Sequence, residues 1–310
     1  MNRRLLTDAD TDLPVASRAL REYAHGLLRL QELEATGQTE STEADQVRDG
    51  MDGPWERLTP PERDLANGLS ADLYMLSDGE RRLPDDGLEA VDSLDERRGR
   101  LHDAGRWVAF LELLRRGPTR LPTWFVAFSR AEAYGRLGLA SVAARFMAYV
   151  DQVQPKDEYK AMVLVFAQEA GDLDFAVPRA VTAAQRQDAS AALLVVSAGT
   201  LLTHTRALDA NRATPIWRQV VSMIDRALSS PQIDRRLQVA GFVFKGLAHE
   251  HLGEMEAATE AFAAAGDVDP FDPLARQAKA GFNGAGAQSS SDPVRRRLIL
   301  ADRLREIISV

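Results

Sequence analysis

The chain has 310 residues, 45% of them apolar and none of them cysteine, and a formal net charge of −8. That length suits one long or two ordinary domains, and the apolar content suffices for a substantial core. The lack of cysteine excludes disulfides, thiol catalysis and Cys-containing zinc sites, and the acidity argues against general nucleic-acid binding, which relies on Lys and Arg to neutralise phosphates.

The acidity is uneven. Residues 1–104 carry 13 Arg and 24 Asp/Glu, which leaves the remainder at +3. Only four of the 38 basic residues are lysine, a bias that fits a GC-rich, bacterial genome, and the missing cysteines fit a reducing, cytoplasmic setting. The start, MNRRLLTDADTDLP, has acids where a secretory signal has its apolar stretch, so no signal peptide is expected. Asp8, Asp10 and Asp12 are spaced like the opening of a calcium loop. The sixth position is Leu13 and the twelfth Ala19, where the loop needs glycine and a carboxylate, so a helix N-cap within Asp10–Asp12 is the better reading.

Periodicity then predicts helices over Leu13–Ala35, Thr42–Met51 and Pro60–Leu76. Thr59, Pro60, Pro61 and Glu62 spell a capped helix start. Ser77–Asp95 is acidic and turn-rich and is read as a mobile loop or linker; its acid pairs, and Asp95-Glu96, have no apolar pocket to tune them for acid–base work. Residues 1–89 form an acidic N-terminal helical region.

From about residue 90 an internal period takes over. Gly105, Gly138 and Gly171 recur every 33 residues between helix-like stretches, and Gly253 repeats the frame. A glycine at this place ends one helix and turns the chain into the next, giving an αα-hairpin. Helices are expected over Trp124–Leu137 and Ser141–Val153, with Pro155 as the stop. Pro178 falls inside the second helix of the Gly171 pair and predicts a kink or a late start. The uncharged run Ala189–Thr205 is too short and too polar for a membrane span and reads as a helix buried on most sides. Between Gly171 and Gly253 one enlarged pair is expected, with helices Ala189–Arg206 and Pro215–Leu228 joined by a long loop, Ala207–Thr214. Five hairpins thus occupy about 90–267, and Asp272–Phe282 closes a helical-repeat domain of residues 90–282. Residues 283–292 (NGAGAQSSSD) are a flexible linker by composition. Residues 293–310 make a basic amphipathic helix with Val294, Leu298, Ala301, Leu304 and Ile308 on one stripe. That helix can cap the fold, pair with another chain as a homo-oligomer handle, or lie on an anionic membrane.

Two stretches carry a family resemblance. In AEAYGRLGLASVAARFMAYVDQVQP, Tyr134, Gly138, Ala143 and Pro155 stand where the tetratricopeptide-repeat (TPR) family has its aromatic, turn glycine, small residue and closing proline; Met147 replaces its usual second aromatic. In FVFKGLAHEHLGEMEAATEAFAAAGDVDP the matches are Gly246, Gly253, Ala258, Phe262, Ala265 and Pro270. The repeats at about 123–155 and 239–270 therefore resemble TPR hairpins, and the frames around Gly105 and Gly171 match in period and turn. The resemblance implies an all-α, right-handed TPR-like solenoid of about five hairpins. It also implies a concave groove lined by the first helix of each pair, with Phe125, Phe128, Ser129, Glu132 and Arg136, then Val243, Phe244 and Leu247, facing a partner. The second set is apolar, unlike the array that clamps a carboxylate, and the closing helix or the N-terminal region could instead cover these residues.

No residue set points to catalysis. There is no phosphate-binding glycine loop, nucleophile elbow or HExxH. His249 and His251 are two apart, which places them on different sides of a helix, so a structural role is expected over metal binding. Trp55, Trp107, Trp124 and Trp217 read as packing residues, with Trp124, beside Pro122, the most exposed. The expectation is a non-catalytic scaffold or adaptor without cofactor or metal, binding a protein or peptide and neither nucleic acid nor membrane. The alternative is a regulatory or substrate-recruiting subunit of an enzyme complex.

Overall fold

The computed structural model describes residues 16–78, 91–116, 121–276 and 278. Every regular element among them is a helix. The chain divides into two compact units, Met1–Gln154 and Pro155–Val310, so the division falls inside the stretch that carries the glycine period.

The first unit holds α1 (Arg18–Ala35), α2 (Thr42–Glu56), α3 (Pro60–Asp78), α4 (Val91–Asp103), α5 (Trp107–Arg116), α6 (Thr123–Arg136) and α7 (Ala140–Val153). The expected start at Leu13 is corrected. Ser17 is extended and its side chain accepts the Leu20 amide, so α1 begins at Arg18, and residues 1–15, with the three aspartates, lie outside the described residues. The second helix runs past Met51 to Glu56, through Pro54. The expected loop Ser77–Asp95 is also shortened: 79–90 lie outside the described residues, and α4 is already helical from Val91.

The capped start of α3 forms as its sequence predicts. Glu62 Oε2 accepts from both the Thr59 amide (3.0 Å) and the Thr59 hydroxyl (2.9 Å). Its Oε1 accepts the Ser17 amide at 3.2 Å, so one carboxylate ties the starts of two helices. Burial opposes the Glu62 charge, but these donors outweigh it and hold its carboxyl below the usual range. The first helix packs against α2, α3 and α7. At its crossing with α2, the Met51 thioether lies over Gly26, where a Cβ would come within 2.5 Å of it. The sixth and seventh helices form the best-filled hairpin of this unit. Tyr134 and Phe146 stack at 5.7 Å, and Val142, Ala143, Met147 and Val150 are buried beside them.

The second unit consists of three hairpins: α8 (Asp157–Ala170) with α9 (Leu173–Gln185), α10 (Ala191–Thr205) with α11 (Ala210–Leu228), and α12 (Arg235–Leu252) with α13 (Met255–Val268). A helical turn follows from Pro273. The tenth helix is the axis of this unit. It touches α8, α9, α11 and α12, and every residue from Leu193 to Leu202 is buried, as the uncharged run predicts. The enlarged pair exists, but its loop is corrected. Asp209 caps α11 by accepting the Arg212 amide, so the connection is short and Pro215 sits in the second turn. Pro178 likewise lies inside α9, which starts without delay at Leu173 under an Asp172 cap. Each proline deprives the carbonyl four residues back of its donor. Those carbonyls belong to Asp174 and Asn211, which are exposed, so solvent can replace the bond.

The turn glycines share one construction. Gly37, Gly105, Gly138, Gly171 and Gly253 all have φ between 68° and 79°. After each, the next amide reaches back five residues: Gln38 to Leu33, Arg106 to Leu101, Leu139 to Tyr134, Asp172 to Ala167 and Glu254 to His249, at 2.7–2.9 Å. This is the Schellman closure, which satisfies carbonyls that the helix end would leave open. Four of the five were legible from the period; Gly37 lies outside it. Nothing lies within 4 Å of a Cβ built on Gly171, so Gly171→Ala isolates the backbone cost. It is expected to destabilise the second unit by about 1–2 kcal/mol, read from the shift of the urea midpoint at unchanged slope.

Candidate functional site

The sixth helix carries the residues of greatest interest. Pro122 precedes it in an extended conformation, and its carbonyl receives the Phe125 and Val126 amides. Most of the helix is buried: Val126, Ala127, Ser129, Arg130, Ala131, Ala133 and Tyr134. The stripe left accessible is Phe125, Phe128, Glu132 and Arg136, at helical spacing. Phe125 is 38% exposed and Arg136 is exposed, while Phe128 and Glu132 are half-buried. Trp124, Phe125 and Phe128 form a run of rings, with centroids 5.6 Å apart for the first pair and 6.3 Å for the second. Trp124 is half-buried and Phe125 is the more exposed of the two. Ser129 belongs to the buried side, so four of the five positions expected on this helix share the accessible face and one does not.

At the charged end of the stripe, the Glu132 carboxylate meets His102 of α4 at 3.0 Å. The other His102 ring nitrogen faces Asp103 at 3.4 Å. Trp107 and Phe110 of α5 meet the imidazole edge-on at 5.1 and 5.7 Å. Burial disfavours the charged ring, but Glu132 and then Asp103 outweigh it, and His102 stays protonated above its ordinary range.

Behind the stripe lies a polar cluster that periodicity does not reveal. Asp72 of α3 is fully buried. Its carboxylate accepts two bonds from Arg115 of α5, from Nε at 3.1 Å and Nη2 at 3.0 Å. It also accepts the Tyr134 hydroxyl at 2.6 Å, and Arg130 Nε stands 3.5 Å away. Arg115 donates further to Tyr134 at 3.1 Å and to Glu112 at 3.2 Å. Burial, and next the Asp72 charge, push the Tyr134 phenol well above its ordinary value, so it remains a donor. Gly68 makes the room: a Cβ there would lie 2.3 Å from the Arg115 guanidinium carbon. A signal was present in the sequence, since Asp72 falls on the Leu65–Leu69 stripe of its helix, where an apolar residue belongs. Asp72, Arg130 and Tyr134 are closed to solvent and only the outer edge of Arg115, with Glu112, reaches it, so the chemistry of the cluster is that of a lock between α3, α5 and α6.

In the second unit the expected groove residues are mostly internal. Val243 and Phe244 are each 2% exposed. Val243 sits in a cluster with Val239, Ala258, Phe262, Ala265 and Ala275, and Leu247 packs partly buried against it beside Leu274 and Ala278. Phe244 faces α10, where a Cβ on Gly199 would lie 3.1 Å from its ring. The segment after Asp269 therefore closes over this helix, and Val243 and Phe244 are core residues, a correction to their expected place in a groove. His249 and His251 diverge as their spacing requires: His249 Nδ1 meets Glu254 at 2.5 Å, and His251 stacks on Trp217 at 5.0 Å. Trp217 donates to Thr205 at 3.1 Å. Among the described residues there is no group of three or more His, Cys, Asp or Glu placed to hold a metal ion, and no helix long and apolar enough to cross a membrane.

No family model, no curated protein and no solved structure matches the chain.

Proposed function

We propose that the chain is a non-catalytic interaction scaffold, with its hairpins arranged as a right-handed TPR-like solenoid, and that the accessible stripe of α6 is where a partner protein docks. The observation that carries this reading is Phe125, a ring held 38% exposed beside Trp124 and Phe128 on a helix whose other faces are buried. Aromatic side chains supply much of the energy at protein interfaces, and a cluster of them at the surface marks a docking site more often than a single exposed residue does. Arg136, three turns along the same face, adds a charge that can fix the orientation of the partner. The four glycine closures at Gly105, Gly138, Gly171 and Gly253 and the hairpin pairing of α4 to α13 support the repeat reading.

The test is proximity cross-linking from a photoreactive residue at position 121, followed by capture from source cells with the intact chain and with Phe125→Asp. The variant is expected to keep its melting temperature within about 2 °C, as a surface substitution does, and to lose at least about tenfold in partner affinity. Unchanged capture by Phe125→Asp would remove this face from consideration.

A further inference from the structure

We infer that His102 is a protonation-dependent clasp, holding the α4/α5 hairpin to the accessible stripe of α6 through an ion pair with Glu132 as an imidazolium and loosening that hold to a neutral hydrogen bond when it loses its proton. The geometry carries this. Both ring nitrogens face carboxylates, Nε2 at 3.0 Å from Glu132 and Nδ1 at 3.4 Å from Asp103. A neutral imidazole has one donor and one acceptor, whereas a carboxylate only accepts, so both contacts are met only by the doubly protonated ring. The two partners are not equivalent. Asp103 neighbours His102 in the chain and is largely exposed, so its contact holds nothing together. Glu132 lies 30 residues away on another helix, and its side chain is the less exposed of the two acids.

The surroundings allow no substitute for the proton. The fifth helix presents two uncharged rings, Trp107 and Phe110, which fix the plane of the imidazole. The charges that act on the ring are the two carboxylates, from its own helix end and from α6. The cations nearest in the chain, Arg100 and Arg106 about His102 and Arg130 and Arg136 about Glu132, are all arginines, so the histidine is the group at this contact suited to change its charge near neutral pH. Loss of the His102 proton therefore leaves a lone pair facing one of the two carboxylates, and with the remaining N–H on Glu132 the contact to α6 falls from an ion pair to a neutral hydrogen bond, so Glu132 stands on the proposed docking face without the imidazolium charge. As regulation of partner binding, this inference rests on the function proposed above; the clasp itself does not.

The sign of the stability effect follows from the direction of the shift. A histidine whose folded value is raised contributes stability that is fully present below the unfolded value, ~6.5, and is lost as pH rises through the folded value. The experiment uses the intact chain alone, with no partner, so its failure is separate from failure of the docking reading. The His102 ring resonances, identified by their loss in His102→Gln, are followed from about pH 5 to 9 alongside melting curves. The wild-type ring is expected to titrate above the free-imidazole value, Glu132→Gln to lower that titration, and Asp103→Asn to lower it less. The melting temperature of the wild type should fall across the same interval, a step absent from His102→Gln. Titration of His102 at or below the free value, a titration indifferent to Glu132→Gln, or the same step in His102→Gln would each overturn the clasp.

Discussion

Asp72→Ala should cost the first unit about 3–5 kcal/mol, the cost of removing one partner from a buried ion cluster. The reason lies in what is left behind. Arg115 would keep its charge with Glu112 at its edge, and Arg130, buried on α6, would lose the carboxylate it faces. The Tyr134 hydroxyl would lose its acceptor in a site without water access. Gly68→Ala attacks the same cluster from the other side, because its Cβ would occupy the place of the Arg115 guanidinium. Replacing the buried charges and the phenol together by apolar side chains, Asp72→Leu with Arg115→Met, Arg130→Met and Tyr134→Phe, should be far milder than Asp72→Ala, since no buried charge of the cluster is then stranded. The measurement is urea denaturation by tryptophan fluorescence in a Trp217→Phe background, which leaves Trp55, Trp107 and Trp124, all in the first unit, as reporters. A loss below about 1 kcal/mol for Asp72→Ala would show that the aspartate is not enclosed as described, that being the range of an exposed pair.

The second large effect belongs to the α12/α13 hairpin. A Cβ on Gly246 would fall 2.4 Å from the Phe262 ring, while one on Gly241, five residues earlier in the same helix, would meet Ile224 and Leu228 at an ordinary 3.5 Å. The same substitution should therefore have opposite signs at the two sites. Gly241→Ala gains up to about 1 kcal/mol from helix propensity. Gly246→Ala has the same gain but must displace a buried ring, a strain of about 1–3 kcal/mol or more, and is expected to be net destabilising. Phe262→Ala should cost about 3–5 kcal/mol through the cavity it leaves. The double variant Gly246→Ala/Phe262→Ala should cost less than the sum, because the new methyl enters the vacated space. Hydrogen exchange of the α12 and α13 amides in the intact chain reads all four. Strict additivity would mean that the glycine and the ring do not share the contact described.

Much of the local construction was legible in advance. The glycine period located four of the five left-handed closures, because a hairpin that ends on glycine writes its turn directly into the chain. The capped start at Thr59 and Glu62 was legible for the same reason, since the two residues that form it lie three apart, whereas the Ser17 amide that Glu62 also accepts, 45 residues away, was not. The start of α1 was misplaced because apolar spacing continues through Leu13, while the cap that ends it, Ser17, acts through one side-chain bond to the Leu20 amide. Pro215 was misplaced because a proline marks a helix start only where no preceding residue caps it better, and Asp209 does.

The candidate surface divides along the same line. On α6 the spacing of Phe125, Phe128, Glu132 and Arg136 gives their common face, but only packing shows that Ser129 is turned inward and that His102 arrives from α4. On α12 the family resemblance implies a groove, and the turn after Asp269 closes it over Val243.

By itself, then, the sequence determined an all-helical chain, the places where its helices turn, and the face each helix would keep apolar. These follow from interactions among residues a few positions apart: propensity, capping and the left-handed glycine. Only the tertiary structure decided which polar groups are enclosed and which apolar ones remain outside. Asp72 meets Arg115 and Tyr134 across separations of 43 and 62 residues, and His102 meets Glu132 across 30. No local periodicity encodes such distances, because the free energy of those contacts depends on burial that exists only once several helices have packed together.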